Sequence, residues 1–252
     1  MSTLDILAGG ARAGTLYGIG VGPGDVRYLT LRAAGLVRAV DVVAYFAKKQ
    51  HPGNARRIVA PLMTQGQHEM RCEYPLTGEA PASSAEYRER MGEFYRDTAH
   101  EVASLLQQGK SVGLLAEGDP FFYGSFMHMW RRLAGNFPVE VVPGVTGMSG
   151  CWTSAKTPIT WGDDTLAVLP GTLEQALLEQ RLRLTDAAVI MKVGRHLPKV
   201  RRAIEAAGLL SRAIYVERGT MREERVLPLA ECADHRGAYF GMVLIPGQGR
   251  QA

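Results

Sequence analysis

Short apolar runs alternate along this chain with stretches whose apolar residues recur every three or four positions. The runs at 15–19, 42–46, 112–116, 139–142, 165–169, 187–193, 213–217 and 239–245 read as strands, several of them apolar enough to be buried on both faces. Helical spacing covers 31–40 with Thr30 as N-cap, a stretch ending near Leu133, a stretch opening at Thr172, and 197–207 with Gly208 as its stop. The best helix is 84–108: Met91, Tyr95, Val102 and Leu106 share one stripe, Ser83 and Glu86 form a capping box, and Gly109 takes the residue after the end. The region 47–83 is polar and rich in turns, and no element is predicted there.

Strands alternating with helices predict an α/β fold with mostly parallel sheets. The alternation weakens where Pro143, Gly144, Gly147, Gly150 and Pro158 crowd together. A boundary near 148 is expected there, giving domains at 14–148 and 149–247. Residues 1–13 are expected to be a mobile tail; Asp5 and the lack of a long apolar segment argue against a signal peptide.

Composition changes this picture little. The 252 residues are 46% hydrophobic and 21% charged, ordinary values for a soluble globular chain. No apolar run approaches the ~18 residues of a membrane span. Cys72, Cys151 and Cys232 lie too far apart for a zinc knuckle and suit buried, inert thiols in a reducing cytoplasm. The net charge of +4 comes from scattered pairs and not from a cationic stripe. That argues against nucleic-acid binding and permits a polyanionic small molecule.

Candidate chemistry sits in the turns that follow the strands. GIGVGPGD (18–25) invites comparison with the dinucleotide-binding fingerprint, but every register fails: Pro23, Asp25 or Arg27 stands where the third glycine belongs. Pro23 has no N–H to give, and Asp25 places a negative charge where a phosphate would sit. The second strand also lacks the acidic ribose ligand, so a nicotinamide oxidoreductase is disfavoured. Gly109-Lys110-Ser111 is no P-loop, because Ser104 replaces its first glycine and the element order is reversed. His68-Glu69 and His100-Glu101 are no zinc motif, because Cys72 and Ser104 replace the second histidine. What remains is a set: GVGPGD, EGDPFFYG (117–124) and PGVTGMSG (143–150), joined by MKVGR (191–195) and ERGT (217–220). Each follows a strand, where α/β sheets collect ligands.

Three of these stretches, GIGVGPGDVRYLTLRAAGLVRAVDVV, LLAEGDPFFYG and VVPGVT, together resemble the tetrapyrrole (corrin and porphyrin) methylase family. The resemblance runs from Gly14 to Ile245. It implies two α/β domains of the class III methyltransferase kind with S-adenosyl-L-methionine in the cleft between them, and a homodimer in the cytoplasm. AYFAKK (44–49), GDPFFYGSFM (118–127), LPGTL (169–173), VIMKVGRHLPKVRRA (189–203) and YVERGTMREERV (215–226) are similar to the branch that methylates precorrin-2 at its meso carbon 20, giving precorrin-3A in cobalamin synthesis. Relatives in the anaerobic branch act on the cobalt-loaded ring, so the substrate's metal state stays open. Carried over by motif, the cofactor contacts implied are Pro23, Glu117, Gly118, Asp119, Phe122, Thr146, Gly147, Met191 and Gly219, with Gly147 standing where relatives commonly have Ala or Ser. No metal is required. A carbon nucleophile attacks a methyl group already activated by a sulfonium, so alignment and exclusion of water are expected to carry the catalysis. Asp119, Glu117, Tyr123 or solvent are the open choices for accepting the ring proton. Lys48, Lys49, Arg195 and Arg27 are the loop cations near strand ends.

Overall fold

The computed structural model describes residues 9–76, 84–233 and 235–249. The chain divides into two compact units, Met1–Thr146 and Gly147–Ala252. The first is built on a five-stranded, wholly parallel sheet of β1 (Leu16–Gly20), β2 (Val42–Ala47), β3 (His68–Glu73), β4 (Val112–Ala116) and β5 (Val139–Val142), in the order β3-β2-β4-β1-β5. Every residue of β1 and β4 is buried, and the two faces divide by strand alternation. Tyr17 and Ile19 pack with Leu36 and Val37 of α1 (Leu31–Ala39) and with Ala55 and Val59 of α2 (Asn54–Val59). Leu16, Val112 and Leu114 pack on the other face with Met91, Val102 and Leu106 of α3 (Ala85–Gln107) and with Phe126 and Met129 of α4 (Phe126–Leu133). Each buried Val, Leu, Ile, Phe or Met among them contributes roughly 1.5–3 kcal/mol on leaving water. β1 therefore leads to a helix on one face and its neighbour β4 to a helix on the opposite face. That parting of connections marks a ligand site at the carboxyl ends of α/β strands.

The second unit carries β6 (Leu166–Pro170), β7 (Ala187–Met191), β8 (Ile214–Glu217), β9 (Arg225–Pro228) and β10 (Gly241–Ile245), in the order β6-β7-β10-β8-β9. Only β6 and β7 are parallel. β10 inserts between β7 and β8, antiparallel to both, and β9 folds back on β8. The expectation of mostly parallel sheets thus fails here. A short reversal between β8 and β9 replaces the helical crossover that a parallel pair needs. α5 (Gly147–Ser154) covers one face through Cys151, against Val189, Val216 and Leu244. α6 (Gln175–Leu182) and α7 (Leu197–Ala206) cover the other through Leu178, Leu182, Val200 and Ile204.

Local signals act as the sequence suggests at several ends. Thr30 Oγ1 accepts from the Ala33 N–H at 3.1 Å, and Gly109 takes φ +77° behind α3. The N-cap of α3 is Ser84, whose Oγ accepts from the Tyr87 N–H at 3.1 Å. Ser83, named above in a capping box, lies outside the described residues, as do residues 1–8. Residues 9–13, expected to belong to a mobile tail, are fastened instead: Arg32 Nη1 donates to the Gly9 carbonyl and the Arg12 N–H to Tyr17 Oη. Four helices and strands went unpredicted, α2, α5, β3 and β9. The two strands are sheet edges with few buried positions, so their apolar alternation is faint. All three cysteines are free and buried, and burial pushes the Cys72 and Cys151 thiols up to about 12.

Candidate functional site

In the first unit the turns after β1, β4 and β5 meet backbone to backbone. The Val21 N–H donates to the Ala116 carbonyl at 2.9 Å, and Gly22 and Gly118 exchange two hydrogen bonds, at 3.3 and 2.8 Å. Side chains have no room at this junction. A Cβ on Gly20 would lie 2.6 Å from the Gly144 nitrogen, and one on Gly144 would overlap the Gly118 carbonyl oxygen. Asp119 fastens the cluster: Oδ1 accepts from the Phe121 N–H at 2.9 Å and Oδ2 from the Gly144 N–H at 3.1 Å. Ser125 closes the same loop at its far end, its hydroxyl 2.7 Å from Tyr74 Oη and 3.1 Å from Tyr95 Oη. Ser125 and Gly144 were absent from the expected contact set. A glycine within each of the three turn motifs was the available signal for Gly144; Ser125 had none.

This packing decides what the turns can bind. The amides of Val21, Gly22, Gly118, Phe121 and Gly144 all have protein acceptors, and Pro23 has no N–H. A diphosphate needs such amides free. Asp25 is engaged as well: Oδ1 caps the turn Val26–Tyr28 through the Arg27 N–H at 2.9 Å, and Oδ2 holds the Arg27 guanidinium at 2.6 Å. That ion pair lowers the Asp25 pKa and occupies Arg27, one of the cations expected to face an anionic substrate.

Of the expected contacts, Pro23, Glu117, Gly118, Asp119, Phe122 and Thr146 all fall in these three turns. Pro23 and Gly118 are buried; Asp119, Phe122 and Thr146 are half-buried. Phe122 is thus no core residue, and its ring meets Tyr123 edge-on at 4.9 Å. Glu117 exposes area to solvent while protein crowds its carboxyl, and this desolvation pushes its pKa up. Its Oε1 accepts from the Ala55 N–H at 3.3 Å.

Gly147, Met191 and Gly219 are gathered in the second unit around α5. Gly147 begins that helix. Met191, half-buried, packs into the apolar layer around Cys151 with Met148 and Trp152. Gly219 is buried against the same turn, where a Cβ would lie 3.0 Å from Cys151 Cα. A methyl group on Gly147 would come within 3.0 Å of the Met242 tip, a flexible neighbour.

Backbone strain marks the same turns. Tyr123, Lys192, Arg218 and Thr220 take φ of +55°, +56°, +49° and +66°. Lys192, Arg218 and Thr220 lie just beyond the carboxyl ends of β7 and β8, and Tyr123 lies in the loop that follows β4. Non-glycine residues held this way cost about 1–3 kcal/mol each and concentrate at ligand sites. Among the described residues no three His, Cys, Asp or Glu stand close enough to hold a metal ion, and no helix is long and apolar enough to cross a membrane.

Comparison with known proteins shows the family. The family model described as Tetrapyrrole (Corrin/Porphyrin) Methylases matches residues 15–233. A precorrin-2 C(20)-methyltransferase of a Sinorhizobium species is 50% identical over 94% of this chain and 97% of its own. Among solved structures, a cobalt precorrin-4 methyltransferase superposes with a TM-score of 0.71 at 21% identity, covering 92% of this chain and 95% of that one. A uroporphyrin-III C-methyl transferase from Thermus thermophilus, complexed with S-adenosyl homocysteine, gives 0.64 at 22%, covering 92% of each. At those identities the structural likeness establishes the fold.

Proposed function

We propose a function from one premise: this chain belongs to the tetrapyrrole (corrin/porphyrin) methylase family. The proposal is that it transfers the methyl group of S-adenosylmethionine to carbon 20 of precorrin-2, giving precorrin-3A. The 50% identity to a relative of that activity, spread over nearly both whole chains, supports the substrate and the position. The observation that carries the cofactor assignment is the closed amide network of Gly22, Gly118 and Gly144. Those amides are not free for a diphosphate, and a nucleoside bearing a sulfonium instead of phosphates does not need them.

Bound there, S-adenosylmethionine supplies an electrophilic methyl group and leaves as S-adenosylhomocysteine. The residues of this chain hold and orient. In the first unit Gly118 and Thr146 offer backbone contact to the nucleoside and amino-acid portions, Pro23 and Phe122 offer apolar surface, and Glu117 offers a carboxylate. Asp119 acts on the arrangement, because both its oxygens already hold the loops. In the second unit Gly147, Met191 and Gly219 are the contacts. The displacement disperses charge, so fixing the methyl carbon in line with the ring carbon and excluding water are the effects that lower the barrier. Lys48, Lys49 and Arg195 are the cations for the carboxylates of the ring.

The test is to incubate the protein with precorrin-2 and methyl-13C-labelled S-adenosylmethionine and locate the label by NMR. A single new methyl on carbon 20 is expected. Label at another ring carbon would replace the assignment with a sister activity, and no label in the ring would remove it.

A further inference from the structure

Away from the site turns, one face of the first unit carries a cluster of arginines with little counter-charge. α3 and α4 pack side by side, and between them lies a surface groove of about 490 Å³ lined by Arg96, His128, Arg131 and Arg132. A second hollow continues it past Arg96 and Arg132, with His100 and Asn136 on its walls. Among the described residues no carboxylate lines either part. Counter-charge is sparse. Arg96 meets Glu93 only at 3.9 Å, with both side chains exposed. Arg132 donates to the His128 carbonyl at 2.9 Å and lies 5.9 Å above the Tyr95 ring. Arg131 has no ion-pair partner among the described residues. His128 stacks on Tyr95 with ring centroids 4.0 Å apart. Burial first, and then the neighbouring Arg132 and Arg131, push the His128 pKa down.

Such an arrangement is costly alone and favourable around an anion. Adjacent guanidinium groups repel one another, whereas two of them can grip oxyanion oxygens through paired N–H donors. His128, the one groove residue stacked on a buried ring, is held in place by Tyr95 behind it. We propose that this groove binds a small multivalent oxyanion, held by Arg131 and Arg132 with Arg96 opposite and His128 at the inner wall. The chemistry it recognises is a cluster of phosphate or carboxylate oxygens. This assignment does not depend on the methyl-transfer reading, and its test does not use that activity.

The groups facing His128 are Arg96, Arg131, Arg132 and Tyr95, so a bound anion must alter its titration in a defined direction. The full-length protein is titrated at low ionic strength with pyrophosphate in one arm and citrate in the other. Calorimetry follows binding, and NMR of the imidazole follows the His128 pKa. Saturable binding in either arm is expected, with the His128 pKa rising; which arm binds more tightly tells phosphate from carboxylate. Replacing both exposed arginines, Arg131→Gln with Arg132→Gln, is expected to weaken binding about tenfold or more and to abolish the rise. Arg96→Gln, at a separate place on α3, is expected to weaken it in the same direction and serves if the double variant is poorly folded. No binding in either arm, or binding unchanged in all these variants, overturns the proposal.

Discussion

The Asp119 carboxylate and the Gly144 amide are joined at 3.1 Å, which fastens the turn after β4 to the turn after β5. The other carboxylate oxygen holds the Phe121 amide within its own turn. Asp119→Asn keeps one acceptor and turns an NH2 group toward a backbone N–H. Loss of a charge-assisted hydrogen bond of this kind costs about 1.5–3 kcal/mol. The expected outcome is a lower melting temperature together with weaker binding of S-adenosylhomocysteine, measured by thermal denaturation and calorimetry on the same sample. Wild-type values for both would show that the junction does not depend on this carboxylate.

Gly144 itself has no space for a side chain, since its neighbour at the missing Cβ is the rigid Gly118 carbonyl. Gly144→Ala must therefore force two turns apart. A loss of roughly 2–4 kcal/mol in stability is expected, in the range of a severe steric defect. Gly135→Ala is the matched control, because nothing lies within 4 Å of a Cβ there, and it is expected to leave the urea midpoint nearly unchanged.

What could be read in the sequence follows from where information is local. The two buried strands β1 and β4, the cap at Thr30 and the stop at Gly109 are set by residues within a few positions of one another, and the structure keeps them. β3 and β9 lie at sheet edges, where Met70 and Cys72 are the only buried residues of six in β3, so the period-two signal nearly vanishes. The antiparallel insertion of β10 between β7 and β8 is a long-range choice that no local pattern encodes. At the site, glycine-rich turns were recognisable as a set, and Pro23 and Asp25 already argued against phosphate. That Asp119 works as a clasp, and that Ser125 sits between Tyr74 and Tyr95, depends on residues from 25 to 51 positions away and became visible only in three dimensions.

Glu117 offers a separation of binding from stability. Burial raises its folded pKa above the unfolded value. The stabilising effect of that shift is therefore present below the unfolded pKa and is lost as pH rises through the folded one, leaving a net cost at neutral pH. Glu117→Gln removes the cost. Unchanged or raised thermal stability at neutral pH is expected, with binding of S-adenosylhomocysteine weaker by about 1 kcal/mol or more, as befits one lost polar contact. A variant that lost stability and kept its affinity would reverse the role given to this side chain.

Glu217 behaves in the opposite sense. Its burial alone would raise the pKa, but hydrogen bonds from His235 at 2.7 Å and Tyr215 at 3.0 Å, with Arg225 at 3.7 Å, lower it overall. Its contribution is present above the unfolded carboxylate pKa and lost as pH falls through the lowered folded value. Glu217→Gln is expected to cost about 2 kcal/mol at neutral pH and to flatten the acid limb of the stability profile. Chemical denaturation across that pH range reads both.

The most direct measurement of the central claim is a calorimetric titration of the purified protein with S-adenosylhomocysteine, S-adenosylmethionine and NAD in parallel. Saturable one-to-one binding of both sulfur nucleosides with no heat from NAD is the predicted result. Binding of NAD, with neither sulfur nucleoside retained, would contradict it.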